Sequence, residues 1–240
     1  MKSVNNRPPR KGCKDIWNAF MVKDASFDVG TDMPICISTD IIPVSLISFE
    51  DAKTIYKKEM KLKHNNFFIN TFIHFYIDDQ KFDGKRTSIW TYPNQALKII
   101  RHFAGIITPD FSTYADFPKP VKYFNTYRMR AFGCWMNVLE IPAINNVRWG
   151  TYETWEYCFA GIPKGSTVAI GSVASGIRKL NNRPLFEEGL KKMVSVISPK
   201  RIIVYGSSNY PCLQNLRKTG IEIVSIPSKT SLAYKEVSNE

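Results

Sequence analysis

The chain has 240 residues, 44% apolar, 22% charged and 13% aromatic, a balance that excludes a disordered chain and leaves enough apolar material for a large core. Lysine and arginine number 33 against 21 acids, a net charge of +12, which favours polyanionic partners because each neutralised phosphate releases condensed counterions. Five cysteines, at 13, 36, 134, 158 and 212, form no C-x-x-C pair, and the histidines at 64, 74 and 102 complete no metal-ligand pattern with them; reduced, buried thiols are expected.

Residues 1–14 hold five basic side chains, two prolines and no acid, with no apolar run behind them. They read as a flexible basic arm rather than a secretory signal. No apolar stretch reaches the length of a membrane span, so a cytoplasmic protein with no membrane partner is expected. Short strands are predicted over 35–38 and 44–47. Ser48 is placed to cap a helix over 49–63 whose basic face carries Lys53, Lys57, Lys58, Lys61 and Lys63. A strand rich in Phe, Ile, Thr and Tyr follows over 68–77 and ends in Asp78-Asp79.

Pro93-Asn94 starts a helix over 95–103 with Leu97, Ile100 and Phe103 on one side, and a strand over 105–108 ends in Pro109-Asp110. Helices are predicted over 121–138, 152–159 (capped by Gly161), 184–197 and 212–218 (stopped by Gly220). Strands fall at 141–145, 166–171, 201–205 and 221–226. From residue 68 strand and helix recur at the length of a βα unit, and continuous apolar runs such as Thr167-Val168-Ala169-Ile170 suit a parallel sheet buried on both faces. The expected fold is α/β: repeated βα units on a mainly parallel sheet, forming a barrel or an incompletely closed one. A doubly wound open sheet is the alternative. The expected organisation is one domain over 15–226 between the arm and a loose tail over 227–240.

Ligands of parallel α/β sheets lie at the carboxyl ends of strands. That rule collects Asp78, Asp79, Asp110, Ser112, Thr113, Asn145, Asn146, Arg148, Trp149, Ser172, Ser175, Tyr205, Ser207 and Ser208 into a polar rim. Asp79 and Asp110 end consecutive strands, where two carboxylates can hold a Mg²⁺ ion or perform acid–base work, or simply cap the turns that follow. Arg128 and Arg130 lie two apart on one helix, so at most one faces the rim, where it would clamp a phosphate; solvated surface arginines are the competing reading. Trp149, on a loop beside Arg148, is the tryptophan best placed to meet a ligand, whereas Trp135 and Trp155 sit in helix patterns and read as core. There is no P-loop, no G-x-G-x-x-G after a strand, no G-x-S-x-G elbow and no H-E-x-x-H.

The segments His74-Phe75-Tyr76-Ile77-Asp78-Asp79, Ile107-Thr108-Pro109-Asp110-Phe111-Ser112, Asn125-Thr126-Tyr127-Arg128, the run from Phe159-Ala160-Gly161-Ile162-Pro163 to Val168-Ala169, and Ile203-Val204-Tyr205-Gly206 together resemble domain-of-unknown-function family 4417. That family occurs in bacteria, phages and other mobile elements. The resemblance runs from about residue 30 to 207 and implies a mobile-element role in replication, transfer or counter-defence, with no residue roles to carry over. The chain departs from the family's pattern at Pro142-Ala143-Ile144-Asn145-Asn146-Val147-Arg148-Trp149, where Pro-Thr-x-x-Trp is expected. It departs again at Gly171-Ser172-Val173-Ala174, where Ser-Thr-Val-Gly is expected. Charge, arm and lysine-rich helix favour a protein associated with nucleic acid or nucleotides. The alternatives are a metal-dependent enzyme acting on a phosphodiester or nucleotide, and a non-catalytic binder of a host protein.

Overall fold

The computed structural model describes residues 17–173, 175–229 and 231; the predicted arm and most of the predicted tail lie outside them. Seven parallel strands form one sheet in chain order. They are β1 (Leu46–Ser48), β2 (Ile69–His74), β3 (Phe103–Ile107), β4 (Ala143–Asn146), β5 (Thr167–Gly171), β6 (Arg201–Tyr205) and β7 (Glu222–Ile226). Between them run α1 (Phe49–Lys61), α2 (Gln80–Asp83), α3 (Pro93–Ile100), α4 (Lys119–Val138), α5 (Arg183–Ile197) and α6 (Pro211–Lys218).

The strand order never reverses, so there is no switch point and the doubly wound alternative gives way to a curled half-barrel. Parallel crossovers share one hand, and an unreversed order therefore keeps the helices on one face and leaves the other as an interior. Six strands supply that interior with one fully or nearly buried side chain each: Phe72, Ile107, Ile144, Ala169, Ile203 and Ile226. Two larger apolar clusters lie between sheet and helices, one around Ile73, Ile106, Phe132 and Ala143, the other around Val168, Ile202, Leu190 and Met193. The curl brings His74 of β2 against Tyr205 of β6, ring centroids 4.2 Å apart. Among the described residues β1 and β7 do not pair, so the barrel stays open.

Ser48 caps α1 as expected, its hydroxyl accepting from the Asp51 N–H at 3.0 Å. Four predicted elements differ. The strand predicted over 68–77 stops at His74, so Asp79 lies not at its end but at the start of α2. Residues 35–38 form no strand; the Cys36 N–H donates to the Gly161 carbonyl and the Thr39 N–H to that of Ala143, each at 2.8 Å, so this segment binds to a loop and to the start of the central strand β4 outside the ladder. The helix predicted over 95–103 stops at Ile100, and Phe103 opens β3: an apolar residue in helical phase belongs to the next element after a two-residue turn. Residues 152–159 make only a 3-10 turn, Tyr152–Thr154, followed by turns, because the helical spacing of their aromatics serves an irregular loop packed on α4 and α5. The four described cysteines are unpaired, and three are buried.

Candidate functional site

The carboxyl ends of β2, β3 and β4 bring several of the predicted rim residues into two neighbouring hydrogen-bonded groups, one around Asp110 and one around Asp79, whose charge acts on Asp110. Asp110 accepts from the Asn146 side-chain amide at 2.7 Å and from the Arg148 guanidinium at 2.6 Å. The Tyr76 hydroxyl donates to the Asn146 side-chain amide oxygen, Oδ1, at 3.1 Å. Asp79 receives both the backbone N–H and the hydroxyl of Ser112, at 3.0 and 2.7 Å. Burial pushes the Asp110 carboxyl above its ordinary value, and the adjacent Arg148 guanidinium only partly opposes it. Arg148 in turn lies over the Tyr114 ring at 5.4 Å. Tyr205 stacks on Tyr76 at 5.2 Å, and Ser172 is tied to the Tyr205 carbonyl from the neighbouring strand. Asp79, Asp110, Ser112, Asn146, Arg148, Ser172 and Tyr205 therefore share one end of the half-barrel.

Other predicted residues lie elsewhere. Arg130 is fully buried beneath the sheet and donates to three backbone carbonyls, those of Ala160, Asn146 and Cys158, at 3.0, 3.1 and 2.8 Å. Arg128 is held by Asp83 and Asn125, each at 2.6 Å, with its guanidinium over the Phe111 ring at 3.8 Å. The Asn145 amide faces the opposite side of β4 and donates to the Cys36 carbonyl and the Ser38 hydroxyl. Trp149 packs on Phe186 and Phe159 and rests directly on Gly189, where a Cβ would stand 2.2 Å from the indole. Gly189→Ala is expected to cost about 2 kcal/mol through this overpacking, read as a lower midpoint in chemical denaturation; an unchanged midpoint would show that the indole moves aside freely.

A second feature sits between α1, α3 and the segment leading into α3. A groove of about 380 Å³ is framed by Lys53, Lys57, Arg86 and Lys98, with Tyr56 and Tyr92 among its walls and Phe49, Ile89 and Ile99 below. No carboxylate lines it. The nine ion pairs found among the described residues use none of these four cations, whereas nearby Lys81 is paired with Glu50 at 2.7 Å. Ser88, at the groove, donates to Asp83, which holds Arg128. Arg128 binds Asn125, and Asn125 reaches Ser112 of the Asp79 group. Sequence reading reached the lysine face of α1 but missed Arg86, Tyr92 and Lys98. The available signal was the spacing of Lys98 against the apolar face of α3, which puts it on the exposed side.

Fold and sites define an α/β half-barrel protein with polar strand ends and a cationic helix groove. The chain belongs to the family described as Domain of unknown function (DUF4417), whose model matches residues 25–224. It is 35% identical to the "Gene 1 protein" of Mycobacterium phage L5 over 80% of its own length and 77% of that protein. It is 32% identical to the "Gene 1 protein" of Mycobacterium phage D29 over 70% of its length, and spans 58% of that relative. No solved structure matches. Among the described residues no helix is long and apolar enough to cross a membrane.

Proposed function

We propose that the chain is a nucleic-acid-associated protein of a phage or mobile element, serving replication, transfer or counter-defence. The observation that carries this reading is the groove's four cations without a carboxylate among them. None of the four is neutralised by a carboxylate, although Lys53 also donates to the Lys81 carbonyl at 3.4 Å. Cations whose charge is not cancelled internally keep their field for an external anion, and four around one concavity match a phosphate backbone. The net charge of +12 extends the attraction beyond the groove, and the phage relatives supply the setting. The metal-dependent alternative gains no support from the strand ends. Both oxygens of Asp110 and both of Asp79 are engaged by protein donors, and no three His, Cys, Asp or Glu side chains among the described residues are grouped to share a metal ion.

The test is an oligonucleotide mobility shift across a salt series. Binding is expected to weaken linearly on a log–log plot, and Lys53→Ala with Lys57→Ala to reduce the slope by about 1.4, roughly 0.7 per lost contact on a single strand. Absence of binding at low salt, or a slope untouched by the double substitution, removes the groove from the function.

A further inference from the structure

We infer that the groove between α1 and α3 takes a single-stranded nucleic acid, DNA or RNA, with one base unstacked into it; this rests on the nucleic-acid reading above. A duplex meets a protein with a convex backbone and with its base faces already stacked, so it would touch the rim cations and leave the concavity below unused. The groove's volume of about 380 Å³ lies at the small end of small-molecule sites and suits one nucleotide rather than a helix. Its chemistry is layered accordingly. Lys53, Lys57, Arg86 and Lys98 stand where phosphates would run, while Phe49 and Ile99 make an apolar floor that a backbone cannot reward. Tyr92 stands at the groove with 43% of its surface exposed, offering a ring face to a base. Every base has a π-face, so stacking of this kind tolerates any sequence. Gln95 is the exposed amide in the wall, suited to a base edge.

Fluorescence anisotropy with a labelled 12-mer, offered as single-stranded DNA, single-stranded RNA and the corresponding DNA duplex at one salt concentration, decides the matter. The single strands are expected to bind at least about tenfold more tightly than the duplex. Tyr92→Ala is expected to weaken single-strand binding about tenfold while changing duplex binding less than twofold, and Tyr92→Trp to restore it. The alanine leaves the Tyr92 carbonyl that begins α3 in place, and a thermal melt confirms that the variant is folded. Preference for DNA over RNA, or the reverse, names the sugar and supports the inference either way. Equal binding of strand and duplex, with Tyr92→Ala affecting neither, overturns it while leaving the nucleic-acid reading intact. If none of the three probes binds, the broader reading falls too.

Discussion

Arg130→Met is expected to destabilise the protein by about 3–5 kcal/mol, read as a shift of the denaturation midpoint. The guanidinium has no solvent exposure and no carboxylate partner. Three charge-assisted bonds to backbone carbonyls offset the cost of burying it, and burial pulls its pKa down. Methionine fills much of the volume and removes the buried charge, but it strips the donor from the carbonyls of Ala160, Asn146 and Cys158. Each lost donor costs about 1–3 kcal/mol, and together they outweigh the relief of the charge. The three carbonyls also tie the loop after β4 to the strand itself, so the loop carrying Phe159 and Gly161 should loosen first. Arg130→Lys keeps the charge but cannot span three diverging acceptors, and should recover only part of the loss. A methionine variant within about 1 kcal/mol of the parent would show that the carbonyls find water or other donors.

The second large effect is in acid. His74 is nearly fully buried in the curled interior, its Nδ1 accepting the Tyr76 N–H at 3.1 Å and its ring against Tyr205. Burial holds its pKa down to about 4, with the charge of Asp51 opposing. In the unfolded chain it titrates near 6.5, so between those values the unfolded state binds more protons. Stability is therefore complete above about pH 6.5 and falls as the pH drops towards 4, by an amount on the order of 3 kcal/mol. The opposing charge, Asp51, is itself paired with Lys229 at 3.0 Å. His74→Gln should flatten that limb of the stability-against-pH curve while leaving carboxylate titration further down. A parallel curve in the variant would place the acid sensitivity elsewhere.

Much of the chain could be read locally. Ser48 before α1, the apolar runs of β5 and β6 and the recurrent βα length identified a parallel α/β sheet, and strand ends pointed to Asp79, Asp110, Ser112 and Arg148. The arginines of α4 show where such reading stops. Arg128 and Arg130 sit two apart in a polar-looking helix, and nothing in that spacing says that one meets carbonyls from residues 146, 158 and 160 while the other meets Asp83. Asn145 and Asn146 divide for a simpler reason: neighbours on a strand point to opposite faces. Only Asn146 points to the Asp110 side, and the phase of β4 in the sheet decides which one does.

The amino-acid order by itself determined most of the elements, a mainly parallel sheet and the basic charge, because periodicity, capping and composition act over a few residues. Tertiary structure alone decided that the sheet curls without closing, that His74 meets Tyr205 across it, and that α3 lies beside α1 so that Arg86 and Lys98 join the lysines of another helix. Those outcomes depend on which distant faces exclude water together, and burial carries no marker of its partner in the local sequence.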